Sequence, residues 1–303
     1  MNLRTTVTTL GLSVAFVALI FLPGMSAIPP THTPTAAAEP STATTLTNPT
    51  TGTSWGVMIT AFSSTDMGAN KPFLYNALQQ TGQYPRGHLK VLYGANATKQ
   101  NILAAFAWLA SVAKPTDNVV ISDNSHGYYL SGVSGIVPVD YQKNGLISVQ
   151  ELASHLNTIH PKEMFLLMDC CFAGNFVSGI QPLKANTLLS QGLEGPNRVV
   201  LMSTLRNGLG IGITVHDSQG EQYLSFTRYV AEGITKHYDP NHDGIISAEE
   251  AYHYARNRWM PLALYYTLSK QWQAKTHQES GYYALPLPKI YDTTQGTFPL
   301  APS

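Results

Sequence analysis

Residues Met164–Gly174 read MFLLMDCCFAG, five apolar residues followed by an aspartate, two adjacent cysteines and a Phe-Ala-Gly turn. An unbroken apolar run of strand length, closed by turn-forming residues, is the pattern of a strand buried on both faces of a sheet. Working outward, the same signal recurs at Trp55–Thr60 (WGVMIT), Leu89–Tyr93, Asn118–Ser122 (NVVIS) and Arg198–Ser203. Helical spacing lies between these runs. It marks Lys71–Thr81 through Phe73, Leu74 and Leu78, a stretch capped by Thr98 that runs through Ile102, Phe106 and Leu109 to Lys114, and Ser148–Leu156. Strands alternating with helices predict an α/β fold, a three-layer α/β/α sandwich around a mainly parallel sheet, in one domain over residues 54–292. No internal repeat is evident, and residues 293–303 read as a C-terminal tail.

Composition bounds the partners. The 303 residues carry 18 Lys plus Arg against 18 Asp plus Glu, so no basic excess exists to neutralise nucleic-acid phosphates, and a nucleic-acid partner is not expected. At the N-terminus, Arg4 precedes an apolar run from Leu10 to Leu22 that ends at Pro23 and Gly24. That run fits the core of a signal peptide and falls short of the roughly 20 residues that span a bilayer. Gly24, Ser26 and Ala27 offer cleavage positions, so residues 1–27 read as a signal peptide or, uncleaved, as an N-terminal anchor. The chain is expected to be exported, with a membrane contact only if this segment stays on. Residues 28–53, rich in Pro, Thr, Ala and Ser, read as a flexible linker.

In parallel sheets functional groups gather where loops leave the carboxyl ends of the strands. The NVVIS strand runs into Asp123, Asn124, Ser125, His126 and Gly127, and the MFLLM strand into Asp169, Cys170 and Cys171. Neighbouring strands would bring an imidazole and a thiol to one edge. A thiolate attacks carbonyl carbon while an imidazole manages protons, and the backbone amides of Gly127 and Cys171 could hold the oxyanion. The bland readings are a hydrogen-bonded surface histidine and a buried apolar cysteine pair. Adjacent cysteines make a strained disulfide, because their Cα atoms sit closer than in ordinary bridges, so no structural disulfide is expected.

The order S-H-G, then L-M-D-C-C-F-A-G some 45 residues later, resembles the caspase-like cysteine peptidases, the group of metacaspases, paracaspases and legumains. Leu92–Ala110 (LYGANATKQNILAAFAWLA) and Gly135–Leu152 (GIVPVDYQKNGLISVQEL) are similar to the segments that flank the histidine strand in bacterial members. The resemblance implies Cys171 as nucleophile, at the third position of D-x-C-x-[SA]-G, with His126 as its base and Cys170 as a bystander. It also implies that Asp169 lines the first specificity pocket, with Asn124 as a further pocket residue, which favours cleavage after Arg, Lys or Asn. The chain departs from the family in having Phe172-Ala173-Gly174 where many metacaspases read H-S-G, and Asn124-Ser125 before the histidine.

A second motif is independent of the first. Asp239–Glu250 reads DPNHDGIISAEE and fits the calcium loop D-x-[DN]-x-[DN]-G-x5-E at every constrained position. Asp239, Asn241, Asp243, the Ile245 carbonyl, Ser247 and a bidentate Glu250 would ligate Ca2+, between expected helices at Glu221–Lys236 and Ala248–Arg256. The alternative is a metal-free loop kept for its turn. Asp140–Glu151 (DYQKNGLISVQE) imitates the spacing, but Val-Pro-Val precedes it and Gln142 replaces an acidic ligand, so it reads as a turn. Gly208, Gly210 and Gly212 lack the helix of a dinucleotide loop. Together these readings predict an exported cysteine endopeptidase acting on peptides or proteins. The second reading is a calcium-binding interaction domain with the same fold and no catalysis.

Overall fold

The computed structural model describes residues 52–62, 72–177, 192–217 and 220–303, so the N-terminal leader and nearly all of the linker lie outside the described residues. The chain runs β1 (Ser54–Ala61), α1 (Phe73–Gln80), β2 (Leu89–Tyr93), α2 (Lys99–Val112), β3 (Asn118–Leu130), β4 (Val133–Val137), α3 (Tyr141–Asn144), β5 (Ile147–Ser148), α4 (Val149–Leu156) and β6 (Glu163–Asp169). It continues through β7 (Arg198–Met202), β8 (Ile213–Asp217), β9 (Gly220–Leu224), α5 (Phe226–Thr235), β10 (Ile245–Ser247), α6 (Ala248–Leu268), α7 (Lys270–Ser280), β11 (Lys289–Asp292) and β12 (Pro299–Pro302).

The main sheet has the order β11-β7-β6-β3-β1-β2. Its pairs from β7 to β2 are parallel, and β11 closes the edge antiparallel to β7. Alternation along each strand builds two cores. Val57, Val119, Leu166 and Val200 pack with Phe106 and Leu109 of α2 and Leu152 and Leu156 of α4. Met58, Val120, Phe165 and Leu201 pack instead with Leu74 and Leu78 of α1, Phe226 and Val230 of α5 and Trp259 of α6. Both faces of the sheet are therefore covered, which is why the central strands read as continuous apolar runs. Helix starts follow their caps: the side chains of Thr98, Ser148, Ser225 and Ser247 each accept a hydrogen bond from the backbone N–H three residues on.

Three expectations are corrected. The NVVIS strand does not stop at Ser122 but continues to Leu130, because its second half pairs antiparallel with β4, from His126↔Val137 to Leu130↔Val133. The helix expected from Glu221 begins only at Phe226, since residues 220–224 form a hairpin with β8. Residues 140–151 are more than a turn: α3, the short strand β5 and the start of α4 all fall there. Within 293–303, β12 pairs antiparallel with β10, Ile246 opposite Ala301. Among the described residues no helix is long and apolar enough to cross a membrane.

Candidate active site

The register between β3 and β6 places Asn124 opposite Asp169 at the carboxyl end of the sheet. Two residues beyond each lie His126 and Cys171. The two chains stay in contact there, because the Cα of Gly127 faces the main chain of Cys171 so closely that a Cβ would collide with its carbonyl oxygen and carbon. Phe172, next after Cys171, takes a left-handed φ of 63°, and its N–H donates to the Gly208 carbonyl at 2.7 Å. A non-glycine residue in that region is strained by about 1 kcal/mol or more, a cost that the tight turn after the strand imposes. The turn leaves the Cys171 side chain partly exposed, whereas Cys170 is buried in the α2/α4 core.

The thiol is held by the backbone. Gly210 N–H donates to Cys171 Sγ at 3.3 Å. Burial pushes the Cys171 thiol above its ordinary value, while N–H groups of Gly210 and Gly127 pull it down and the Asp169 charge pushes it up. Burial pushes Cys170 much further up, helped by the charges of Asp123, Cys171 and Asp169. His126, half-buried, packs its ring edge-on to Phe62 at 5.2 Å, and Phe62 in turn meets Tyr223 of β9 at 6.4 Å. On the other side of the turn Phe172 packs against Tyr282 at 4.9 Å and Tyr129 at 5.9 Å.

Asp169 is buried, 7% exposed, at the N-terminus of α5. Its Oδ2 accepts from the Thr227 backbone N–H at 2.7 Å. Burial raises its pKa, and hydrogen bonds from Thr227, Ser203 and Ser225 work in the opposite direction. Asn124 is buried alongside, and its Nδ2 has no hydrogen-bond partner. On the opposite face of β3, Asp123 is 1% exposed and is pushed up to about 8 by burial; Ser125 Oγ donates to its Oδ2 at 2.7 Å.

Residues 88–179 match the family model described as the metacaspase, peptidase C14 domain. Over these residues the match supports a likeness to the caspase-like cysteine peptidases. The matched segment runs from the start of β2 to just past the Cys171 turn, so the histidine strand and the cysteine strand both fall within it. No curated protein matches the chain. The central, mostly parallel sheet flanked by helices fits the caspase-like fold. A caspase-like peptidase domain acts on peptide or protein substrates.

Sequence reasoning missed Gly210, whose N–H reaches the thiol, and the hydroxyl residues Ser203, Ser225 and Thr227 around Asp169. The alternation of Gly208, Gly210 and Gly212 was the available signal. Glycine at every second position lets an extended segment approach other atoms closely, and Leu209 of this segment bridges to Ala284.

In the 239–250 loop, Gly244 N–H donates to Asp239 Oδ2 at 3.0 Å, Asp243 N–H to Asn241 Oδ1 at 2.9 Å and Ile245 N–H to Asp243 Oδ1 at 2.9 Å. Gly244 has the left-handed φ of 84° that the sharp turn needs. Glu250 Oε2 accepts from Ser247 N–H and Oγ, and Glu250 Oε1 is buried with no hydrogen-bond partner. Among the described residues no group of three or more His, Cys, Asp or Glu side chains is gathered as a metal cluster. The donor set of this loop includes an asparagine and a backbone carbonyl, which suits a hard cation such as calcium.

Proposed function

We propose that the chain is an exported caspase-like cysteine endopeptidase that cleaves after Arg, Lys or Asn, with Cys171 as nucleophile and His126 as base and acid. The observation that carries this reading is the packing of Gly127 against the Cys171 main chain, which sets the residue after His126 beside the thiol. Cys171 Sγ attacks the scissile carbonyl carbon while His126 takes the thiol proton and delivers it to the leaving amine, forming a thioester. Water then loses a proton to His126 and attacks the thioester, releasing the acid product as the proton returns to sulfur. The raised thiol pKa supports proton transfer during attack over a resting thiolate.

The oxyanion would be met by the Gly127 and Cys171 N–H groups. Asp169 and Asn124, paired across β3 and β6, would receive the residue before the scissile bond. The buried Asp169 carboxyl would accept from a guanidinium or an ammonium, and the unpartnered Asn124 Nδ2, a donor, would suit the carbonyl oxygen of a carboxamide. Calcium would be held by Asp239, Asn241, Asp243, the Ile245 carbonyl, Ser247 and Glu250. The orphaned Glu250 Oε1 supports that fit, and the ion would tie α6 to the C-terminal strand.

Hydrolysis of fluorogenic peptides bearing Arg, Lys, Asn or Asp before the scissile bond tests the reading. Cleavage after Arg or Lys is expected, abolished by Cys171→Ala and His126→Ala and retained in Cys170→Ala. Asp169→Asn keeps the acceptor for Thr227 N–H and loses the charge, so KM for Arg and Lys peptides should rise at least tenfold while the Asn peptide is spared. No cleavage of any peptide, with and without calcium, would leave a non-catalytic binding domain on the same fold.

A further inference from the structure

The two loops of calcium-loop spacing share more than spacing. Each spans twelve residues, Asp140–Glu151 and Asp239–Glu250, and each has Asp at position 1, Gly at 6, Ile at 8, Ser at 9 and Glu at 12. Gly145 and Gly244 take φ of 80° and 84°. Ile147 and Ile246 are both fully buried, each on a short antiparallel strand, β5 on β4 and β10 on β12. Ser148 and Ser247 both cap the following helix by accepting from the N–H of Glu151 and Glu250.

They differ at the centre. In the 239–250 loop the position-12 carboxylate has a buried oxygen without a partner. In the 140–151 loop the ammonium of Lys99, at the start of α2, takes that place. Lys99 Nζ donates to the position-7 carbonyl, Leu146 O, at 2.8 Å and to the position-12 carboxylate, Glu151 Oε2, at 3.0 Å. The backbone N–H of Lys99 donates to the position-1 carboxylate, Asp140 Oδ1, at 2.8 Å. These are three of the groups that a bound calcium would contact in such a loop.

We propose that Lys99 is the resident cation of the 140–151 loop, making it a metal-free counterpart of the calcium loop. The charge balance agrees: Asp140 and Glu151 supply the anionic ligands, Gln142 and Asn144 are neutral, and a single ammonium suffices where Asp239, Asp243 and Glu250 require a divalent ion. The consequence reaches the candidate active site through β-pairing. Ile147 of the loop pairs with Ile136 of β4, and Ile136 pairs with Gly127 of β3, beside His126. The loop that Lys99 holds is thus joined to that strand through β4.

The test uses the full chain with Glu250→Gln, to silence the 239–250 loop, with and without Lys99→Met. Removing the ammonium leaves Glu151 and Leu146 O facing an empty centre. Lys99→Met should lower Tm by several degrees, and calcium or terbium should restore much of the loss, with terbium luminescence sensitised by Tyr141. The Glu250→Gln chain with Lys99 intact should show neither response. Equal metal responses in the two chains, or a Lys99→Met chain as stable as its parent, overturn the assignment. Should Lys99→Met fail to fold, Lys99→Met/Glu151→Met decides: a foldable double variant supports the cation role, and a double variant that also fails to fold overturns it. None of these readouts depends on peptidase activity.

Discussion

Gly127 and Cys171 meet main chain to main chain, with no room for a Cβ on the glycine. Both sides of this contact are backbone, in β3 and in the turn after β6, so neither yields by a change of rotamer. Gly127→Ala should therefore displace the 126–127 segment from the thiol. Loss of one aligned oxyanion donor costs about 10²–10³ in kcat. The expected result is a fall of that size in kcat for an Arg peptide, with Tm lowered by a few degrees. Unchanged kinetics would show that the Gly127 N–H plays no part.

The two cysteines should separate by reactivity. Cys170 is buried and its thiol is pushed well up by burial, whereas Cys171 is partly exposed and raised less. Thiolate is the reactive form, so iodoacetamide should label Cys171 first, and its rate should keep climbing as pH rises through the ordinary thiol range. Mass mapping of the labelled chain and a rate–pH profile check this. A rate that plateaus below pH 7 would indicate a preformed thiolate and contradict the proton-transfer order given above.

The sheet was legible in the sequence because its central strands are covered on both faces, which forces continuous apolar runs such as Val119–Ile121 and Phe165–Leu167. The second half of β3 was not, since Asp123, Asn124, Ser125, His126 and Gly127 carry no strand signal. Their pairing comes from β1 as far as Ser125, from β6 as far as Asn124 and, from His126 onward, from β4, which is tertiary information. The same reason hid β9: Tyr223 and Leu224 suit a helix by spacing, and only pairing with β8 makes them a strand. Cys171, His126 and Asp169 were proposed through their motif, whereas Gly210 N–H is a backbone group that no side chain announces. The internal cation of the 140–151 loop was also out of reach, because Lys99 lies 41 residues before Asp140 in sequence.

Asp123 makes stability depend on pH in a direction opposite to that of a salt-bridged carboxylate. Its folded pKa is pushed up to about 8 from 3.8 by burial, so between those values the native state holds a proton that the unfolded chain releases. Stability from this group is greatest below about pH 4, falls as pH rises through the window at up to about 1.4 kcal/mol per unit, and levels off above about pH 8. Asp123→Asn carries no proton to lose and should flatten the profile. Urea unfolding at pH 5, 6, 7 and 8 for both chains checks it, and parallel profiles would place the pH dependence elsewhere.

Calcium should act on the end of the chain that the sequence presents as a tail. β10 lies inside the proposed ligand loop and pairs with β12, and Ser303 N–H donates to the Gly244 carbonyl at 3.1 Å. Binding to the folded loop alone stabilises by RT ln(1 + [L]/Kd), about 2.7 kcal/mol at a hundredfold excess over Kd. For a domain of this size that corresponds to roughly 5–10 °C in Tm. Glu250→Gln is the discriminating variant, because glutamine still offers an oxygen to Ser247 N–H and so preserves the helix cap while removing the bidentate carboxylate. Calcium should raise Tm in the parent chain, a chelator should reverse the rise, and Glu250→Gln should not respond. Deleting residues 299–303 should weaken the response by removing the strand that braces the loop. A calcium shift that survives Glu250→Gln would move the site away from residues 239–250.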